Sequence, residues 1–488
     1  MIETIKRLRY ALVCLVVVMG MILVDLAPPA ASAQVENSAG TRVNTGGSIY
    51  LPLVQYSPPP VLRVNAPYLV PWNQDEMAIF WLGRVNSTEN YTDVRVAYTQ
   101  TEVVIKLATF DKRLWYNPNP TPQDMPNWDS ASLYLNLKGN LGNQPGSSAY
   151  QFIGQLNWWE SRANFQAAYQ GNGSTWNLAP IAFTTETGWR GDNPNDDVDD
   201  RGWVIVFHLP YASLGLSAPP PQGTTWGLGI RVHDRDAKAS GPNPDQAWPP
   251  AMSPDRPATW GQLEFGLPGY TPPPGLVDPQ TFTLRNGLNG VQVSDGMVGG
   301  SSVCGEGLDY WTQWGEKNYA GSEFFNVQNE SDISDWPCFS KDYLTFPLSS
   351  LPAGKTVISA SLTLHLMGNA GGGQWGPSPV SLVQIMTTAQ DWNESTLNWN
   401  NAPLANENVS RAWVNPIAPG AWPGSPGVAY SWDLSYAIDK AYRAGTPLRL
   451  VIYSADGGYN SGRYFTSSHV GDWDAAGRPT LNVILGTP

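Results

Sequence analysis

Asp93-Val-Arg-Val-Ala-Tyr98, a polar break at 99–101, then Glu102-Val-Val-Ile-Lys-Leu-Ala-Thr-Phe110: these eighteen residues decide the fold class. Both runs are rich in β-branched residues, and the break between them is short and polar, so they read as a β-hairpin. The same pattern recurs outward from it. Ser132-Leu-Tyr-Leu-Asn-Leu137 alternates with period two. Trp203-Val-Ile-Val-Phe-His-Leu209 is a nearly continuous apolar run, which suits a strand buried on both faces. Leu228-Gly-Ile-Arg-Val-His-Asp234 alternates again, and so, further on, do 343–348, 357–367, 380–386, 448–454 and 481–485. One helix is expected, because Leu434, Ala437, Ile438, Ala441 and Tyr442 recur on one helical face and Gly445 closes the run. Many short strands between Gly, Pro and Asn turns predict an all-β chain of two β-sandwich, jelly-roll-like domains.

Composition agrees. Gly and Pro make up about 19% of the 488 residues, which favours turns and short strands over long helices. With 28 Lys+Arg against 41 Asp+Glu the formal net charge is −13. An acidic balance excludes a basic nucleic-acid-binding protein and disfavours docking on anionic lipid. Pro-rich stretches at 57–60 and 271–275 mark the joints. The expected order is a signal peptide at 1–33, a leader and linker at 34–60, a sandwich at 61–270, a linker at 271–278 and a second sandwich at 279–488.

The signal reading rests on Lys6, Arg7 and Arg9, an apolar run over 11–24, and Ala31-Ser32-Ala33 as a small-residue cleavage site. It implies an exported chain without a membrane span once the signal is removed. Cys304 and Cys338, left as a pair in an oxidising compartment, are expected to form a disulfide.

No nucleophile elbow, zinc-protease motif or phosphate loop is present, and Glu160, Asp234 and Glu394 carry no catalytic signature around them. Asp192, Asp196, Asp197, Asp199 and Asp200 fall within nine residues of a Gly/Asn/Pro-rich loop. Such clustered oxygen ligands suit Ca2+, and they equally suit a solvated turn. The 22 tryptophans are mostly core material. Those in polar, Pro-flanked loops are the exceptions expected to be exposed: Trp115 with Tyr116, Trp128, and Trp248.

Residues 70–266 resemble family 9 carbohydrate-binding modules. The resemblance lies in Trp128-Asp129-Ser130 leading into Leu133-Tyr134-Leu135, and in Gly202-Trp203 leading into the 204–210 strand. It continues in Trp226-Gly-Leu-Gly-Ile-Arg-Val-His-Asp-Arg-Asp236 and in Thr259-Trp260-Gly261-Gln262-Leu263. It implies a sugar held between two aromatic rings, best matched by Trp128 and Trp248, with Asn127 and Arg231 available for hydroxyls, and bound calcium. Residues 281–486 resemble the disaggregatase-related (DNRLRE) domain grouped with family 96 carbohydrate-binding modules. The blocks are 343–354 with the following strand, Asp391-Trp-Asn-Glu-Ser-Thr-Leu-Asn-Trp-Asn-Asn-Ala-Pro403, and Arg463-Tyr-Phe-Thr-Ser-Ser468 followed by Gly477-Arg-Pro-Thr-Leu481. That family usually has a Glu where this chain has His469. The two resemblances imply a secreted, non-catalytic protein that attaches to extracellular or cell-wall polysaccharide. The alternatives are an extracellular structural or adhesion protein without sugar affinity, and a polysaccharide lyase or hydrolase.

Overall fold

The computed structural model describes residues 61–300, 307–329, 339–371, 376–458 and 460–488. The expected signal peptide, the leader and first linker, and both Cys304 and Cys338 lie outside the described residues. No helix among the described residues is long and apolar enough to cross a membrane.

Four sheets account for the described residues, two within 61–270 and two after it. The first runs β1 (Arg63–Ala66), β13 (Gly261–Phe265), β11 (Thr225–His233), β5 (Ser130–Asn136), β6 (Ala149–Gln155), β7 (Gln166–Gly171) and β8 (Trp176–Leu178), with β12 (Gln246–Trp248) also on β11. The second runs β2 (Ala78–Leu82), β3 (Tyr91–Tyr98), β4 (Glu102–Phe110), β10 (Gly202–Pro210) and β9 (Thr184–Arg190). The third runs β14 (Val277–Arg285), β24 (Thr480–Thr487), β18 (Thr356–Asn369), β23 (Arg463–Thr466) and β16 (Phe324–Val327), with β21 (Val428–Asp433) on β18. The fourth runs β15 (Ser294–Val298), β17 (Lys341–Phe346), β22 (Leu448–Ser454), β19 (Ser381–Thr388) and β20 (Ala405–Val414). Only β1 against β13 is parallel among the named strand pairs. The hairpin read from 93–110 is β3 and β4, in register from Tyr91 opposite Phe110 to Tyr98 opposite Val103. The expected helix is α1 (Ser435–Ala444), ended by Gly445 at φ 65°, a left-handed conformation glycine adopts without strain.

The sandwiches do not sit side by side as beads on a linker. Their inner sheets pack face to face, so one apolar cluster runs from Val64 and Phe80 through Trp203 and Trp248 to Trp314, Trp399 and Tyr453. On β3, Val94 and Val96 point into the first sandwich. Asp93 and Arg95, also buried, face the second. Asp93 accepts from Asn329 Nδ2 at 2.9 Å and from Tyr453 OH at 3.1 Å, and Arg95 Nε donates to Ala455 O at 3.2 Å. Gln384 and Asn408 donate side-chain amides to the backbone of Met77 and Ile79.

At the centre of this interface Lys341 has no accessible surface. Its ammonium lies 3.7 Å from the Trp81 ring centre and 3.8 Å from that of Trp399, with Tyr91 and Tyr453 completing the box. Nζ donates to Tyr91 OH at 2.9 Å, and Tyr91 OH donates to Asp93 Oδ1 at 2.7 Å. Burial pulls the Lys341 pKa well down, and the Asp93 charge opposes that pull.

Candidate functional site

The four aromatic residues singled out from Pro-flanked loops do not share one fate. Trp115 and Tyr116 are buried, because their loop folds back onto the sandwich. Trp248 has 0% exposure: it ends β12, packs 4.6 Å from the Phe80 ring and lies against Gly261. This corrects its assignment as one wall of a sugar clamp, since a ring without accessible surface has no face to offer. The flanking Pro249 and Pro250 belong to a turn that caps the core edge.

Trp128 alone stays partly open. Its Nε1 donates to Asp124 Oδ2 at 3.1 Å, and the Arg235 guanidinium stacks 4.2 Å from its ring centre. Asn127 is exposed and donates to the other Asp124 oxygen at 3.2 Å. Arg231 is engaged elsewhere, 3.0 Å from Asp245, which also hydrogen-bonds His233 at 2.7 Å. The pair Asn127 and Trp128 therefore forms a small surface feature, and the expected partners Trp248 and Arg231 are committed to core and ion pair.

The acidic loop 191–200 is likewise structural. Asp199 pairs with Arg113 at 2.7 Å and Lys112 at 3.6 Å, and Asp196 caps the backbone N–H of Val198. Asp192 accepts from its neighbour Asn193, and Asp197 is exposed. Asp200 is buried and accepts from Leu114 N, and burial raises its pKa to about 6. Asp192, Asp196, Asp197 and Asp199, the expected calcium ligands, do not belong to the group of three carboxylates whose oxygens lie within 4.8 Å of one another among the described residues.

The convergent set is Asp111, Asp129 and Asp234, whose oxygens lie within 4.8 Å of one another. All three are buried. Each stands at a strand terminus: Asp111 just after β4, Asp129 just before β5, Asp234 just after β11. Asp129 accepts from Trp115 N at 2.6 Å and Arg235 N at 2.9 Å, and Asp111 from Arg113 N at 3.0 Å and Trp203 Nε1 at 3.2 Å. Asp234 Oδ2 accepts from Asn243 Nδ2 at 2.6 Å. Asp234 Oδ1 is buried, and the Asn90 side chain beside this carboxylate favours its charged form. Burial, then mutual repulsion, raises Asp111 and Asp129 well above the carboxylate range; burial, then the Asp236 charge, lifts Asp234 to about 7. Three buried carboxylates this close repel one another, and a divalent cation bound by their oxygens would offset that repulsion. The residues fit calcium on that ground. No motif joins them in sequence, because three lone Asp residues at strand ends are ordinary turn chemistry until the sheets bring them together.

Residues the sequence reading passed over supply the open aromatic surface. Trp158 and Trp159 follow β6, and Trp189 lies on β9. Trp158 and Trp159 stack with centres 5.7 Å apart, and Trp189 meets them edge-on at 5.9 and 6.2 Å. Trp159 is 81% exposed. The adjacent pair Trp158-Trp159 between the polar residues Asn157 and Glu160 was the available signal, the same kind of signal that Trp115-Tyr116 gives for two rings that are buried. The other flagged carboxylates have separate partners: Glu160 accepts from Tyr116 OH at 2.9 Å, and Glu394 pairs with His469. That contact raises the His469 pKa, favouring the protonated imidazole where the resembling family has a carboxylate.

On the face of β4, β10 and β9 opposite to Trp203 and its register partner Trp189 lies a groove of about 620 Å³, with Trp72 among its lining residues. Val204, Val206 and His208 of β10 are half-buried and line it, whereas Trp203, Ile205 and Phe207 face the core. The 203–209 run is therefore buried on one face, not both, because the second sandwich covers only the β2–β3 side of this sheet.

No curated protein matches the chain. Among solved structures, it is similar to a family 9 carbohydrate-binding module from Caldicellulosiruptor kristjanssonii in complex with cellotriose. The identity is 17% over 42% of this chain and 93% of that one, with a TM-score of 0.30. The same module in complex with glucose is similar at 17% identity over 43% and 100% of the two chains, with a TM-score of 0.30. Residues 310–472, which hold the Asp391–Pro403 block and α1, match the model of carbohydrate-binding module family 96.

Proposed function

We propose that this is a secreted, non-catalytic carbohydrate-binding protein that attaches to polysaccharide outside the cell. The observation that carries the reading is the cluster of Trp159, 81% exposed, with the half-buried Trp158 and Trp189. Sugar rings present flat C–H faces that lie on indoles, and a soluble protein keeps such rings in water at a cost that a ligand relieves. The family 96 match over 310–472 supports the same class. The separate commitments of Glu160, Asp234 and Glu394 favour binding over sugar hydrolysis, which needs two carboxyls facing one bond. Export also favours the Cys304–Cys338 bond. The described chain leading to each cysteine is already joined, Ser340 Oγ donating to Gly300 O at 3.0 Å.

Affinity electrophoresis in gels cast with plant and algal polysaccharides tests the reading. Wild type is expected to be retarded by at least one of them. Trp159→Ala and Trp189→Ala are expected to weaken binding more than about tenfold, as buried-on-binding tryptophans do; Trp159→Ala, whose ring is 81% exposed, leaves the melting temperature unchanged. Equal retardation of both variants and wild type would refute it.

Calcium at Asp111, Asp129 and Asp234 is the proposed structural ion. It would tie three strand ends of two sheets together, and its binding energy would add to folding. At a hundredfold excess over its dissociation constant that is about 2.7 kcal/mol. Calorimetry is expected to show a melting temperature several degrees higher in Ca2+ than in EGTA. Asp129→Asn should remove most of that difference. Identical melting in both buffers would remove calcium from the account.

A further inference from the structure

We infer that the outer face of the third sheet carries a second sugar site, which takes a segment of a neutral polysaccharide; this rests on the glycan-binding reading above. The site is a shallow depression of about 320 Å³ over β14, β24, β18 and β21.

Strand periodicity makes this face. Leu284 of β14, Leu481 and Val483 of β24, Leu362 and Leu364 of β18 and Trp432 of β21 are turned into the core of the second sandwich. Their neighbours along each strand turn outward, and register sets them in rows. Thr283, Asn482, Ser361 and Asp433 are successive partners in one row, and Thr281, Ile484 and Ser359 in the next. Thr283 Oγ1 donates to Asn482 Oδ1 at 2.8 Å, which leaves the Asn482 amide N–H groups for a ligand. The hydroxyls of Thr281, Ser359 and Ser361 make no hydrogen bond among the described residues. Of the described residues that line the depression, Asp433 alone is charged, and its Oδ1 already accepts from Ser435 N at 2.9 Å and from Ser435 Oγ. Uncommitted donors and acceptors around the half-buried Ile484 side chain suit a ligand of hydroxyls and C–H faces without net charge. An anionic chain would meet Asp433 with no cation beside it.

His365 continues the face beyond Thr363, and its Nδ1 hydrogen-bonds Gly477 O at 3.1 Å, so the loop 471–477 borders the face. Ser425 Oγ donates to Asp474 and ties the loop 415–427 to it. Trp473 and Trp422, 73% and 75% exposed, belong to these two loops. Indoles held in water beside a hydroxyl-lined face add stacking surface for further sugars of the same chain. None of these residues belongs to the Trp158–Trp159–Trp189 cluster, so the two sites can be emptied separately.

The test runs the full chain in gels cast with hydroxyethylcellulose, glucomannan, arabinoxylan or alginate. Trp159→Ala is expected to keep a residual retardation in at least one of the neutral gels. Adding Ser361→Lys, which fills the depression with a charged side chain, is expected to weaken that residual binding at least about tenfold. Adding Trp422→Ala with Trp473→Ala is expected to weaken it about fivefold. Thr281 is exposed on the edge strand β14, so Thr281→Lys repeats the test should Ser361→Lys lower the melting temperature. Residual binding that none of these changes alters, or binding to alginate alone, would overturn the site. Wild type that binds, with Trp159→Ala free of all retardation, would overturn it and leave the reading above in place. Full loss in Ser361→Lys alone, with Trp159→Ala running as wild type does, would uphold this site and overturn the Trp159 cluster. Wild type retarded in none of the gels would overturn both.

Discussion

Replacing Lys341 with alanine is expected to cost about 3–5 kcal/mol of stability, the loss seen when one member of a buried charged set is removed. The side chain is wholly buried between Trp81, Tyr91, Trp399 and Tyr453, and it reaches Asp93 through the Tyr91 hydroxyl. Truncation removes a cation from four ring faces, leaves a cavity lined by aromatics, and deprives Asp93 of a nearby positive charge. Desolvated cation–π contacts alone reach about 2 kcal/mol. Lys341→Met keeps the stem and the volume, and is expected to lose less than half as much. Asp93 then still has Arg95 at 4.0 Å and hydrogen bonds from Tyr91, Tyr453 and Asn329. Denaturant unfolding of the three proteins measures this directly. Equal stability of wild type and Lys341→Ala would show that the box does not hold the sandwiches together. The same interface bears on fragments. Residues 61–270 expressed alone would expose Trp81, Tyr91, Asp93 and Arg95, and 279–488 alone would expose Lys341, Trp399 and Tyr453. Neither half is expected to unfold as cooperatively as the whole chain.

Trp248→Ala is expected to destabilise the protein by about 3–5 kcal/mol, as large-to-small changes at core tryptophans do. The ring fills the space between Phe80 and Gly261, where even one added methyl on Gly261 would stand 2.6 Å from it. Trp128→Ala, by contrast, loses one hydrogen bond to Asp124 and the stacked Arg235, worth roughly 1 kcal/mol. Paired thermal melts separate the two residues cleanly. A small shift for Trp248→Ala would contradict its place in the core.

That pair illustrates how far the sequence could be read. The strands and α1 were legible because burial on one side of a sheet or helix imposes a period on the chain. Which tryptophans face water was not legible, because a loop's polar neighbours report only on the loop. Trp248 sits among prolines and charges yet its ring points inward, while Trp189 lies in a strand and reaches solvent. The contact between the sandwiches was hidden for a related reason. Asp93 and Arg95 alternate with Val94 and Val96 as a wet strand face would, and only the second sandwich shows that this polar face is buried. The carboxylate trio was hidden because Asp111, Asp129 and Asp234 approach one another through sheet register, not through spacing.

The groove floor belongs to the first sandwich, but Gly457 on its rim comes from the second, held by a 2.7 Å hydrogen bond from its backbone N–H to Asp75 Oδ1. Occupancy of the groove by any ligand and docking of the sandwiches would therefore be linked equilibria. A ligand that favours the assembled rim strengthens the docking by the same free energy that docking adds to its affinity. With the groove filled, the chain would thus be harder to pull apart than with the groove empty.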